Sequence, residues 1–201
     1  MTLLPEQLRA LAYARKRGSE APVETIRARL TATYADFEAL VEPIPADVAR
    51  QRRATSAWSI QEVVDHLVES DRPAVAQLAR LLAGEPVDTP IPASLQSPRP
   101  LDQDWSDLRR AFRAVHRDLL ALLAPATDDL PLAATAAVQM VVKCAGPDGT
   151  LAPVSWLERF DWKAYAILLH GHNREHIAQV QRILGAPPPE QAGAVQTLPT
   201  V

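Results

Sequence analysis

Residues 58–67 have the sequence Trp-Ser-Ile-Gln-Glu-Val-Val-Asp-His-Leu and mark the clearest helix start in the chain. Ser59 is followed three residues later by Glu62, which is the pattern of a capping box: each side chain accepts a hydrogen bond from the backbone N–H of the other residue. Trp58 precedes the cap and can pack against Val63, the fourth residue of the helix, as a hydrophobic staple. Because the cap and the staple agree, the sequence predicts that a helix begins at residue 60.

Apolar residues continue at three- and four-residue steps through this helix to Leu82, and the same spacing recurs in three other segments. It predicts helices over about residues 23–41, 102–123 and 161–184. Each segment is followed by proline or glycine, which end helices. Pro73 lies inside the helix that begins at residue 60. Its ring clashes with the carbonyl four residues earlier, so a local kink is predicted there.

Proline-rich segments join the four helices. The connection over about residues 85–100 is long enough to carry the chain across one end of a bundle. Residues 138–157 break the helical spacing, and their β-branched residues on either side of a Gly-Pro-Asp-Gly turn predict a small hairpin. The sequence therefore predicts an all-α fold: a four-helix bundle with one long crossover and a small hairpin before the last helix.

The two ends of the chain are predicted to lie outside this bundle. Residues 1–20 contain a short basic amphipathic segment that breaks at Gly18, and we interpret them as an N-terminal appendage. The bundle is assigned to residues 21–186. The proline-rich tail, residues 187–201, is expected to be poorly ordered.

Composition narrows the classes of function. The 201 residues are 47% hydrophobic and 22% charged with a net charge of −3, so there is no basic stripe for a phosphate backbone and nucleic acid is not expected as a partner. No apolar run is long enough to span a membrane. The first residues lack the order of a secretory signal, and a cytoplasmic location is expected. The single cysteine, Cys144, has no partner for an intramolecular disulfide.

His172 and His176 lie four residues apart on the apolar face of the last predicted helix. Residues at this spacing have Cβ atoms about 5–6 Å apart, which lets both imidazoles reach one metal ion at about 2.0–2.1 Å. Two histidines satisfied by hydrogen bonds in the core are the alternative. A metal is favoured because each buried imidazole brings two nitrogens that need partners.

A third ligand is needed, and His66 is the best candidate because it borders the buried face of the helix that begins at residue 60. His170 is two residues from His172 and therefore points about 200° away from it. His116, on the margin of the third long helix, is interpreted as a boundary histidine, with a pocket or fourth-ligand role as the alternative. Three neutral imidazoles would leave open positions on a metal, as in catalytic sites.

Residues 58–67 and the segment His172-Asn-Arg-Glu-His-Ile-Ala-Gln179 together resemble the helix signatures of the DinB/YfiT-like metal-binding bundles. The resemblance extends over about residues 23–184. It implies a four-helix bundle of unusual connectivity, often a homodimer, with one divalent metal, zinc or nickel, bound by His66, His172 and His176.

The family includes transferases that use low-molecular-weight thiols such as mycothiol or bacillithiol, and a thiol-dependent maleylpyruvate isomerase. The resemblance therefore implies a divalent-metal-dependent thiol S-transferase with a small-molecule substrate. Gln179, Glu69 and His116 are candidates for residues that hold the metal ligands in place or line a substrate pocket. Two alternatives remain open: a metal-dependent hydrolase with Glu69 or Asp65 as general base, and a non-catalytic, stress-associated bundle that binds a metal or a small ligand.

Overall fold

The computed structural model describes residues 3–52, 58–146 and 149–185. Within these ranges the chain forms six α-helices and one two-stranded antiparallel sheet. In chain order the elements are α1 (Pro5–Glu20), α2 (Val23–Val41), α3 (Ala46–Arg50), α4 (Ile60–Leu82), α5 (Trp105–Leu123), β1 (Ala136–Ala145), β2 (Leu151–Phe160) and α6 (Trp162–Leu184). None of the described helices combines the length and the apolar character needed to cross a membrane.

The four predicted long helices are α2, α4, α5 and α6. The capping box at the start of α4 is confirmed: the Ser59 hydroxyl accepts from the Glu62 N–H, and the Glu62 carboxylate accepts from the Ser59 N–H. Helix α5 begins three residues later than predicted because Asp104 caps it by accepting from two backbone N–H groups. Helix α4 continues through Pro73 without interruption.

Two groups of buried side chains fill the bundle. One includes Ile26, Leu30, Leu78 and Trp162, and the other includes Phe37, Val63, Leu67, Phe112 and Val180. Full burial of a large apolar side chain contributes about 1.5–3 kcal/mol, so these groups supply most of the driving force for folding. Along α6 the polar residues His172 and Asn173 lie between Leu169, in the first group, and Ile177, in the second.

The predicted hairpin is present and is longer than the sequence indicated. Strands β1 and β2 have ten residues each and pair in register from Ala136 with Phe160 to Ala145 with Leu151. Alternate residues of β1, Met140, Val142 and Cys144, are buried. The all-α assignment is therefore corrected to a helical bundle with a two-stranded sheet, because period-two burial stabilises these segments as strands rather than helix.

Helix α1 packs against the rest of the protein instead of lying apart from it as an appendage. It continues through Gly18, where the sequence predicted a break, to Glu20. Its residues Ala10, Leu11 and Ala14 are buried in one group with β1 and α6. At Gly18 a Cβ atom would lie 2.7 Å from the Ala164 Cα, so the absence of a side chain allows this close helix crossing. The predicted tail lies outside the described residues.

Candidate metal centre

Three histidines from two helices meet in the bundle. His66 on α4 and His176 on α6 each place Nε2 at 3.1 Å from His172 Nε2. One nitrogen from each ring lies within 4.8 Å of the other two, and this is the cluster suited to a metal ion among the described residues. The structure thus brings together the three histidines that the sequence singled out. His170 and His116 are not part of the cluster.

Hydrogen bonds on the far side of two rings fix which nitrogen carries a proton. His66 Nδ1 lies 2.7 Å from the Leu95 carbonyl oxygen, and His176 Nδ1 lies 2.7 Å from Gln179 Oε1. Because a carbonyl oxygen can only accept, each Nδ1 carries the hydrogen and each Nε2 keeps its lone pair. A single proton on His172 Nε2 can satisfy one of these lone pairs but not both. A cation bound between the three nitrogens satisfies them all, so the donor set fits a divalent metal.

Burial keeps two of these imidazoles neutral near pH 7. His66 is 2% exposed and His176 is 7% exposed. Burial, and after it the repulsion from His172, lowers the pKa of His66 to about 4. Burial also lowers the pKa of His176, with smaller contributions from His172 and His66. Metals bind neutral imidazole, so protons compete weakly with a metal at this site.

The crossover, residues 83–104 between α4 and α5, supplies the Leu95 carbonyl that bonds to His66. Hydrogen bonds from α4 hold this crossover in place. The buried Asp65 carboxylate accepts from the Ser97 N–H at 2.9 Å and from the Gln103 side-chain amide. Gln96 donates its side-chain amide to the Glu62 carbonyl at 2.9 Å. These bonds fix the segment that carries the Leu95 carbonyl. A backbone carbonyl has no sequence signature, which is why sequence reasoning did not find it.

The three candidate pocket groups differ in position. Gln179 contacts His176 directly, as described above. Glu69 forms an ion pair with Arg72 at 2.9 Å on a more exposed part of α4. His116 is buried between α5 and α2, where its ring stacks on Tyr34 at a centroid distance of 3.8 Å and its Nδ1 lies 2.9 Å from Glu38.

Asp71 is a buried carboxylate at the site that the sequence analysis did not single out. It is 1% exposed, and its Oδ2 accepts from the Asn173 side-chain amide at 3.1 Å. Its Oδ1 lies 3.9 Å from His172 Nδ1 and has no hydrogen-bond partner. A signal was available: Leu67, Asp71, Ala74 and Leu78 follow a four-three-four spacing, which puts Asp71 in the buried stripe of α4.

A cavity of about 90 Å³ adjoins the histidines. His66, His172 and Asp71 contribute to one part of its wall, with Gln77 and Tyr165 nearby. The remaining wall comes largely from apolar side chains of the crossover, β1 and α6: Ile91, Pro92, Ala137, Val138, Met140, Leu168 and Leu169. On another side of the cluster, the Trp58 ring lies 5.0 Å from the His66 ring and 6.4 Å from the His176 ring. A small molecule in the cavity would therefore lie next to two of the three histidines.

Comparison with known proteins gives one family match and one structural match. Residues 29–180 match the model of a family described as the DinB superfamily. The fold is similar to that of YfiT from Bacillus subtilis, described as a probable metal-dependent hydrolase with an unusual four-helix bundle topology, with a TM-score of 0.56, 17% identity and coverage of 92% of each chain. At that identity the likeness shows the fold alone. Among curated proteins, none matches the sequence significantly.

Proposed function

This chain belongs to the DinB superfamily, and from that premise we propose that it is a divalent-metal-dependent enzyme acting on a small molecule in the cavity beside the three histidines. The observation that carries the proposal is the convergence of His66, His172 and His176 on one point at the edge of this cavity. Three protein ligands leave at least one position open on a four-coordinate metal, which is the arrangement of catalytic rather than structural sites.

The surrounding residues hold the ligands in position. The Leu95 carbonyl and Gln179 each fix one ring through Nδ1, which sets the tautomer and aims the Nε2 lone pair. The ring of Trp58 lies beside the rings of His66 and His176. A divalent ion held there, zinc or nickel being suited to imidazole ligands, would lower the pKa of a coordinated thiol or water and supply a nucleophile near neutral pH.

Thiol-dependent S-transfer is the reaction we favour. The thiol sulfur forms a bond to an electrophilic carbon, the leaving group departs with the bonding electrons, and the thiol proton passes to water. This chemistry requires no general base, because coordination alone deprotonates a thiol. The two carboxylates that the sequence suggested as bases are engaged elsewhere, since Asp65 is held by Ser97 and Gln103, and Glu69 is paired with Arg72.

Hydrolysis is the second candidate, supported by the description of the similar Bacillus subtilis protein. Water is a weaker acid than a thiol, so hydrolysis benefits more from a positioned proton acceptor. Neither Asp65 nor Glu69 is available for that role in this structure. The remaining candidate acceptor is Asp71, which lines the cavity and whose Oδ1 has no hydrogen-bond partner among the described residues and lies 3.9 Å from His172 Nδ1.

Metal analysis and cobalt substitution test the proposal. Protein purified without a polyhistidine tag should hold about one divalent ion per chain, and His170→Ala should hold as much as the wild type. Cobalt-substituted protein should change its visible spectrum when a low-molecular-weight thiol is added, and an electrophile should then be consumed only with the thiol present. Turnover without thiol would identify a hydrolase. Stoichiometric metal without turnover of either kind would support the non-catalytic alternative.

The homodimer implied by the family resemblance stays a prediction. Sedimentation velocity tests it directly, because one chain has a mass of 22.0 kDa and a dimer twice that.

A further inference from the structure

Asp71 is a buried carboxylate without a lysine or arginine partner among the described residues. It is 1% exposed, and the group that can pair with it is the ring of His172. Its negative charge, added to the larger effect of burial, raises the pKa of the Tyr165 phenol. Buried charges in proteins are normally paired or lie beside a metal. The carboxylate therefore requires a compensating cation, and the neighbouring three-histidine cluster is suited to bind one.

Asn173 holds the side chain of Asp71 and leaves one oxygen free. The Asn173 amide donates to Asp71 Oδ2 at 3.1 Å and to the Leu169 carbonyl at 3.1 Å. Within the described part of the chain, Asp71 Oδ1 has no hydrogen-bond partner, and it lies 3.9 Å from His172 Nδ1. A hydrogen bond needs a separation of about 2.7–3.2 Å, so these two atoms are neighbours that are not bonded.

The position of one ring hydrogen decides whether the two atoms can bond. His172 Nε2 lies 3.1 Å from the Nε2 atoms of both His66 and His176, and with the hydrogen on Nε2 the ring donates to one of them. Nδ1 then presents a lone pair to Asp71 Oδ1, and two acceptors cannot form a bond. A neutral ring that ligates a metal through Nε2 carries its hydrogen on Nδ1 instead. Nδ1 is then a donor next to the free carboxylate oxygen.

We propose that Asp71 is a positioning residue for the metal: its Oδ1 accepts a hydrogen bond from His172 Nδ1 when His172 ligates a divalent ion through Nε2. This inference rests on the proposed function, because it concerns the same metal site. The carboxylate orients the third ring, as the Leu95 carbonyl and Gln179 orient the other two. Asp71 is the charged member of these three acceptors, so it also offsets part of the charge of the ion.

Asp71 is also the remaining candidate to accept a proton from water in hydrolysis, and the two roles predict different results. Its Oδ1 is closed to solvent and lies beside an imidazole, which favours positioning. Removal of a positioning carboxylate changes the metal affinity and the environment of the His172 ring hydrogen. Removal of a proton acceptor for water changes turnover and leaves metal binding as it was.

NMR of zinc-loaded protein, labelled with ¹⁵N at histidine, tests the hydrogen bond in the wild type. We expect a zinc-dependent Nδ1–H signal from each of the three ligands, with the His172 hydrogen protected from exchange with water. The His172 side chain is 16% exposed, so without an acceptor its ring hydrogen would exchange rapidly and the signal would be lost. Loss of this one signal, with those of His66 and His176 present, would overturn the proposal.

Asp71→Asn tests the same role through metal affinity. In this variant the side-chain oxygen can keep the bond to Asn173, and the side-chain nitrogen then meets His172 Nδ1–H as a second donor. We expect zinc affinity, measured by competition with a chromophoric chelator, to fall about 10- to 100-fold. The His172 signal should shift or disappear while those of the other two rings remain. Asp118→Asn, which removes an exposed carboxylate on α5, is the matched control and should bind zinc like the wild type.

The outcomes separate this inference from the function on which it rests. If the wild type binds zinc, and Asp71→Asn shows the same affinity and the same His172 signal, the positioning role is refuted and the proposed function stands. The same result combined with lost turnover would make Asp71 the proton acceptor for water. If the wild type retains no divalent ion, the proposed function itself fails. Circular dichroism establishes that the variant is folded, and if it is not, the wild-type spectrum alone decides the proposal.

Discussion

At the residue scale, the three-histidine assignment predicts which side chains metal binding depends on. Replacing His66 by alanine removes one of three neutral donors, and two imidazoles on one helix form a weak site. We therefore expect His66→Ala to lose its metal during purification. His170→Ala is the matched control, because His170 is on α6 but outside the cluster. Elemental analysis of both proteins, purified without a tag, checks the prediction, and full metal occupancy in His66→Ala would contradict it.

Gln179 is expected to act on the metal through His176. Its Oε1 lies 2.7 Å from His176 Nδ1, so Gln179→Ala removes the acceptor that orients the ring. Loss of such a partner typically lowers metal affinity about 10- to 100-fold. Competition with a chromophoric chelator measures this change, and Gln51→Ala, an exposed glutamine near α3, serves as the control. An unchanged affinity would mean that the ring is held by packing alone.

Sequence reasoning reached the ligands but not their whole environment, for a physical reason. The three histidines could be identified by residue type and helical spacing, and Gln179 by the family resemblance of the last helix. The Leu95 carbonyl could not, because every residue has one, and only the fixed path of the crossover brings this one to His66. A helical wheel of α4 could have identified Asp71, because this residue falls in the buried stripe of the helix.

At the element scale, the four long helices could be predicted because the three- and four-residue spacing of apolar residues is visible within each segment of the sequence. The strand pair was predicted over residues 138–157, whereas the observed strands extend to Ala136 and Phe160. The prediction therefore ended two residues short on β1 and three residues short on β2, where pairing continues. Helix α1 was misjudged because its partner is distant in sequence. Gly18 suggested a break, whereas it is the contact point of α1 with α6.

That contact leads to a prediction for Gly18→Ala. Within a helix this change alone would stabilise by about 0.5–1 kcal/mol. Here the added Cβ would lie 2.7 Å from the Ala164 Cα, a backbone atom that can yield only if the helices separate. Such overpacking costs about 1–3 kcal/mol, so a net loss of stability is expected. Urea unfolding measures it, with Ser19→Ala at an exposed neighbouring position as the control. A gain in stability would show that α1 does not pack on α6 in solution.

At the scale of the whole molecule, the fold is expected to survive removal of the metal. The two apolar groups that fill the bundle are built mainly from residues of α2, α4, α5 and α6, and neither includes any of the three histidines. Chelation should therefore leave the far-ultraviolet circular dichroism at 25 °C unchanged and lower the melting temperature, because a ligand bound only to the folded state stabilises it by mass action. Reloading with zinc should restore the melting temperature in proportion to the logarithm of free zinc. A structural zinc behaves differently, since its binding energy is folding energy and chelation unfolds the protein. Loss of helical signal on chelation would therefore contradict both this prediction and the catalytic character of the site.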